Sequence, residues 1–142
     1  MRQMSDCLFC KIVEKEIPSV AVYEDEEIYA FLDIHPINRG HTLVVPKKHC
    51  SGFLDCDGSV LPSWILVTQK IAQAMKNGLG ADGLNLMQNE GSAAGQAIPH
   101  LHIHIVPRFA GDGLRHWPGK SYASDEEKFK MAEGIRRFLT PR

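Results

Sequence analysis

Pro99-His100-Leu101-His102-Ile103-His104-Ile105-Val106-Pro107 decides the reading of this chain. Histidine takes every second position from His100 to His104, and apolar residues fill the gaps. A β-strand points successive side chains to opposite faces, so His100, His102 and His104 share one face while Leu101, Ile103 and Ile105 share the other. The apolar face predicts a strand anchored in a core. The other face presents a row of imidazoles that exchange protons near neutral pH. Three of the seven histidines in 142 residues fall into this one register, which separates it from a half-buried strand with incidental polar positions. On an extended strand the outer two stand ~13 Å apart. All three do not easily reach one metal ion, although a neighbouring pair can. A row of that length suits an elongated anion such as a phosphate ester.

The flanking segments fill in the elements. Residues 84–88 read as a strand, joined to the histidine strand by a Gly- and Ala-rich loop from Asn89 to Pro99. Ser59 and Pro62 mark the start of a long helix over residues 61–76, which Asn77-Gly78 ends. The β-branched run at 42–45, closed by Pro46, predicts another strand. Residues 20–23 and 28–32 form a hairpin across the acidic turn Glu24-Asp25-Glu26-Glu27. Asp6 caps a short helix over residues 8–15, and Pro18 stops it. Ser124-Asp125-Glu126-Glu127 has the form of a capping box opening a last helix to about Leu139, with a stripe of Phe129, Ala132, Ile135 and Leu139. The sum is an α+β fold: an antiparallel sheet of about five strands with a long helix and a C-terminal helix. No repeat, low-complexity run or long linker divides the chain, so residues 1–142 are expected to form a single domain.

Composition narrows the function. A net charge of −1 gives no basic field for nucleic acid. No apolar run approaches the ~20 residues of a membrane span, and the opening Met1-Arg2-Gln3-Met4-Ser5-Asp6 lacks the apolar core of a signal peptide. A cytoplasmic location is expected, with no nucleic-acid or membrane partner. The four cysteines then read as thiols or metal ligands instead of disulfides.

Within this frame His102 is the candidate nucleophile. A neutral imidazole is available at pH 7 without strong tuning, and it can attack phosphorus to give a phosphoramidate, splitting one displacement into two easier ones. His104 is placed to bond a phosphate oxygen and stabilise charge in the transition state. In Gly91-Ser92-Ala93-Ala94-Gly95-Gln96, small residues let backbone N–H groups approach a phosphate closely. Asp33, at a strand end, can accept hydrogen bonds from ribose hydroxyls, or simply be a turn residue before Pro36. Cys7-Leu8-Phe9-Cys10 is a C-x-x-C pair open to three readings: two ligands of a zinc site, free thiols or a redox pair. Cys50 and Cys56 lack paired spacing, and no role is argued for His35.

His100-Leu101-His102-Ile103-His104-Ile105-Val106 resembles the histidine-triad motif. Asp6 to Ile12 with Glu16-Ile17-Pro18, Phe31-Leu32-Asp33-Ile34, Gly40 to His49, and Asn89-Glu90-Gly91 followed by Gly95-Gln96 are similar to other parts of that family. The best match is its Hint branch of nucleotide-binding proteins, in a bacterial-type form with a zinc site. The resemblance implies a HIT-like fold and a middle histidine, His102, that is transiently nucleotidylated. It implies an apolar slot for a purine base from Phe9, Phe31, Ile34 and Leu43, with Asp33, Asn89, Gly95, Gln96, Ala97, His102 and His104 also at the nucleotide. It adds His49 and His100 to Cys7 and Cys10 as ligands of a structural zinc, and places His41 behind the triad and bonded to it. The family usually carries Ser or Thr where this chain has Ala97, which puts rate and leaving-group preference in question.

The expected activity is hydrolysis at the α-phosphorus of purine nucleoside phosphoramidates or nucleotidyl anhydrides. The competing readings are a nucleotidyltransferase and a nucleotide-binding sensor with little turnover. The long helix carries apolar residues around much of its circumference, including Leu61, Trp64, Ile65, Leu66, Val67 and Ile71, more than one buried stripe needs. With the two-fold dimers of the family, this predicts a homodimer. His116-Trp117-Pro118-Gly119 resembles a segment that relatives place near the neighbouring subunit's site.

Overall fold

A computed structural model describes residues 6–139. Five strands, β1 (Ala21–Glu24), β2 (Ile28–Leu32), β3 (Thr42–Pro46), β4 (Gly83–Met87) and β5 (Ile103–Arg108), form one antiparallel sheet in the order β1-β2-β3-β5-β4. The helices are α1 (Leu8–Val13), α2 (Leu61–Leu79) and α3 (Asp125–Arg136). The chain divides into two compact units, one ending at Asp112 and one beginning at Gly113. Among the described residues no helix is long and apolar enough to cross a membrane.

Local chemistry accounts for the elements of the first unit. The β1–β2 hairpin turns on Asp25, whose carboxylate accepts the N–H groups of Glu27 and Ile28 at 2.8 and 2.7 Å and the hydroxyl of Tyr23 at 2.7 Å. Alternation then gives the sheet two apolar faces. Ile28, Ala30, Val44, Ile103 and Ile105, with Leu101, pack against Trp64, Val67, Ile71, Ala72 and Met75 of α2. Tyr29, Phe31, Leu43 and Val45 pack against Cys7, Phe9, Ile12 and Val13 at α1. Trp64 is fixed in the first core by an indole N–H donated to the Val44 carbonyl at 2.9 Å.

Three expectations need correction. The cap of α1 is Cys7, whose Sγ accepts the Cys10 N–H at 3.4 Å, and not Asp6; the helix stops at Val13, before the left-handed Lys15 at φ 65°. Next, α2 runs through Asn77-Gly78 to Leu79 and closes on the left-handed Gly80. Leu79 lies over Gly40 so closely that a Cβ added at Gly40 would stand 2.5 Å from its Cδ1. Finally, β5 begins at Ile103, so His100 and His102 precede the ladder. The β3–β5 register (Thr42↔Ile105, Leu43↔His104, Val44↔Ile103) would bring Leu101 opposite Pro46. Proline has no N–H to give, and the Leu101 N–H goes instead to the Cys50 carbonyl at 2.8 Å.

In the second unit Ser124 caps α3 by accepting the Glu127 N–H at 3.2 Å, and the Glu127 carboxylate reaches back to the Ala123 N–H at 2.6 Å. Phe129 and Ile135 of its apolar stripe are largely exposed.

Candidate functional site

The C-x-x-C pair sits at the start of α1, where one helical turn brings Cys7 and Cys10 side by side. Chain segments from far away complete the group. His49 follows the end of β3, and His100 follows Pro99 just before β5. His100 Nδ1 lies 3.3 Å from Cys7 Sγ, 3.6 Å from Cys10 Sγ and 3.2 Å from His49 Nδ1, and Cys10 Sγ lies 3.4 Å from His49 Nδ1. These separations can be set against a tetrahedral zinc. With Zn–S ~2.3 Å and Zn–N ~2.05 Å the edges of the tetrahedron come to ~3.6 Å for S···N and ~3.3 Å for N···N.

The lone pairs also point correctly. His100 Nε2–H donates to the Pro46 carbonyl at 2.8 Å, which leaves its Nδ1 unprotonated toward the cysteines. Burial pushes the Cys10 thiol up to about 12, with the Cys7 sulfur and then Glu14 adding to the shift. A cation bound at that sulfur would take the place of the proton, which would leave to solvent. The four residues fit zinc.

His102 follows two residues on. Its Nδ1–H donates to the His100 carbonyl at 2.7 Å, so its lone pair is on Nε2. Phe9 stands edge-on to its ring, with centroids 5.0 Å apart. His104 is next in the row, its ring 4.9 Å from that of His102, and its Nδ1 lies 2.9 Å from Nε2 of the buried His41. Burial lowers the pKa of His102, against the opposing effects of the His100 carbonyl and Asp33. His104 is lowered to about 4 by burial, with His102 and His41 adding to the shift and Asp33 opposing it. The row is therefore neutral at pH 7, as a nitrogen nucleophile requires.

The other expected residues divide. Phe9, Phe31 and Leu43 come together in one buried cluster on the histidine side of the sheet, with Phe31 edge-on to Phe9 at 5.5 Å. Ile34 stands apart from that cluster and is 84% exposed. Asp33 lies beside the row: one carboxylate oxygen accepts the His35 N–H at 2.8 Å, and the other is 3.7 Å from His41 Nε2.

In the loop after β4, four of the amides are engaged locally. The Ala94, Gly95 and Gln96 N–H groups donate to carbonyls of the same loop, and the Gly91 N–H to the Gln96 side chain. Gln96 is a latch. Its amide N–H groups donate to the Ser51 and Ile98 carbonyls at 2.8 and 3.2 Å. Asn89 packs its side chain beside Gly95, and Ala97 is exposed. Cys50 and Cys56 pack against the α2 core. Trp117, in the second unit, is 84% exposed.

Sequence reasoning missed the backbone groups that orient the row. The carbonyls of Pro46 and His100 and the amide of Ile37 each fix a ring nitrogen, and main-chain atoms leave no residue signature. A separate groove of about 640 Å³ between α2 and strands β1 to β3 contains none of these histidines.

The chain is similar to proteins already known. The structure of SMU.412c from Streptococcus mutans UA159 superposes with a TM-score of 0.89 at 41% identity, covering 95% of this chain and 86% of that one. A Zn-bound histidine triad family protein from Mycobacterium smegmatis superposes with a TM-score of 0.76 at 37% identity, over 95% of this chain and 96% of that one. Adenylylsulfatase HINT3 of Arabidopsis thaliana is 36% identical over 140 residues, 95% of this chain and 70% of its own length. Residues 14–111 match the HIT domain, and the chain belongs to the HIT-domain family of histidine-triad proteins, with relatives in its Hint branch.

Proposed function

We propose that this protein is a nucleotide-binding hydrolase that cleaves the bond between the α-phosphorus and its leaving group in purine nucleoside phosphoramidates or nucleotidyl anhydrides. The observation that carries the reading is the bond from His102 Nδ1–H to the His100 carbonyl, which leaves a neutral Nε2 lone pair in the histidine row. In the first step that lone pair forms a bond to the α-phosphorus, and the bond to the leaving amine or phosphate breaks. In the second, water attacks phosphorus, the P–N bond to His102 breaks, and the nucleotide is released with the histidine restored. Phe9, Phe31 and Leu43 supply the apolar ground beneath a purine, and Asp33 a carboxylate for the sugar hydroxyls. That a relative is named an adenylylsulfatase, an enzyme acting on an adenylyl anhydride, supports the substrate class.

Cys7, Cys10, His49 and His100 would hold zinc, which would clamp α1, the end of β3 and the entry to β5 together. This zinc is structural in the proposal, and no catalytic step runs through it.

A second reading, a nucleotide-binding protein with little turnover, draws on Ala97, which offers no hydroxyl, and on the amides committed within the 91–96 loop. Steady-state hydrolysis of adenosine 5′-phosphoramidate separates the two. The wild type should turn over, and His102→Ala should lose at least ~10³-fold in kcat while still binding adenosine monophosphate. A His102→Ala variant with most of its activity would exclude the nucleophile, and an inactive wild type that binds the nucleotide would favour the second reading.

A further inference from the structure

Cys50 and Cys56 come together in the fold, although their spacing in sequence marks no pair. The chain between them turns back on itself, with the Asp55 carboxylate accepting the Ser51 N–H at 3.3 Å and the Gly52 N–H at 2.8 Å. That turn lays both cysteines against the α2 core. Both also line one cavity of about 140 Å³, beside His49. Each is half-buried and carries a free thiol. Burial pushes the Cys50 thiol up, and its hydrogen bond with the Cys56 side chain is the next cause.

The surroundings of the pair rule out one use for it. A zinc site needs further nitrogen or sulfur donors. Among the described residues, the groups with donor atoms within 4.8 Å of one another are Cys7, Cys10, His49 and His100, and Asp33, His41 and His104. Neither group includes Cys50 or Cys56. His49, the nearest imidazole in sequence, turns its Nδ1 toward Cys10 and His100, at 3.4 and 3.2 Å. What remains is the chemistry of a dithiol.

The loop that the pair closes is also a fastening point. The Cys50 carbonyl takes the Leu101 N–H at 2.8 Å, at the approach to β5. The Ser51 carbonyl takes the Gln96 side-chain amide at 2.8 Å, and the Phe53 N–H donates to the Glu90 carboxylate at 2.6 Å. Segment 50–56 therefore holds both the histidine row and the loop after β4.

We propose that Cys50 and Cys56 form a reversible disulfide in the folded protein, a redox modification site apart from Cys7 and Cys10, which clasps the loop that Gln96 and Glu90 grip. The oxidant is a small-molecule disulfide. One cysteine, its proton given up, attacks a sulfur of that disulfide; the oxidant's S–S bond breaks, and its departing thiolate takes up the proton. The second cysteine then attacks the mixed disulfide in the same way and releases the other half of the oxidant as a thiol. The dithiol is oxidised, and one disulfide is reduced to two thiols. The hydrolase reading is not needed for this step.

The test is incubation of the full, zinc-loaded chain with oxidised glutathione, followed by denaturing alkylation, intact mass and peptide mapping. The chain should lose two hydrogen atoms, with Cys50 linked to Cys56, and Cys7 and Cys10 alkylated. Dithiothreitol should restore both thiols, and in Cys56→Ser the loss should vanish. Amide hydrogen exchange at Gly52 and Phe53 should slow ~10-fold in the oxidised wild type against the reduced one. Cys50 and Cys56 both alkylated after the oxidant, or a bond joining Cys7 to Cys10 or two chains in place of this one, would overturn the proposal. Exchange unchanged by the bond would remove the clasp. If Cys56→Ser does not fold, the peptide map of the wild type decides.

Discussion

Each histidine of the row differs from its neighbours in what its ring nitrogens touch, and those contacts divide the chemistry. His100 gives Nε2–H to a carbonyl and keeps Nδ1 for metal, His102 gives Nδ1–H to a carbonyl and keeps Nε2, and His104 receives at Nδ1 from His41. All are buried enough to be held neutral, which has a cost on acidification. His104 has a folded pKa of about 4 against an ordinary 6.5, and burial is the first cause; His41 is shifted the same way, again chiefly by burial. The unfolded chain therefore binds more protons than the folded one between those values. This contribution to stability is complete above pH ~6.5 and is lost as pH falls toward ~4. The urea midpoint should drop between pH 7 and pH 5, and His104→Asn should flatten the drop; a slope unchanged by the substitution would count against a buried neutral His104. At this scale much was legible. Alternation alone placed His102 and His104 on the face opposite Leu101, Ile103 and Ile105. The tautomers were not legible, since main-chain carbonyls and amides set them.

Among the elements, the strands followed the sequence closely because β-branched runs and an Asp-anchored turn leave few alternatives. The start of β5 did not, because its limit is imposed by Pro46 on the neighbouring strand, more than fifty residues away. The metal group is the same kind of object. C-x-x-C spacing supplied two ligands, while His49 and His100 came only through family resemblance, since no spacing rule links residue 10 to residue 49 or 100. In the loop at 91–96, whose small residues let N–H groups approach a phosphate, the Ala94, Gly95 and Gln96 amides bond to carbonyls of the loop itself, a pairing that composition does not reveal. If the four ligands hold zinc, purified protein should contain about one zinc per chain, and Cys7→Ser with Cys10→Ser should remove it. The variant should also melt several degrees lower, because a metal that binds only the folded state stabilises it. Metal content near zero in wild-type protein prepared without chelators would refute the site.

For the whole molecule, the sequence expected more apolar surface on α2 than one core needs. Trp64, Val67 and Ile71 are in that core, which removes Trp64 from any interface, while Ile65 and Leu66 are 50% and 57% exposed. β4 is a sheet edge, with Leu86 half-exposed. We propose a two-fold homodimer through these exposed positions, since a two-fold interface pairs one patch with itself. Light scattering at micromolar concentration should give roughly twice the 15.9 kDa chain mass, and Ile65→Glu with Leu66→Glu should return the monomer. A monomeric wild type would contradict the proposal. The central claim concerns chemistry, and the most direct test is rapid acid-free quenching of the protein with adenosine 5′-phosphoramidate, followed by intact mass and peptide mapping. The account predicts an adduct of one adenylate per chain, labile to acid, on His102 and absent from His102→Ala. Turnover with no adduct at any quench time, or an adduct on another residue, would contradict it.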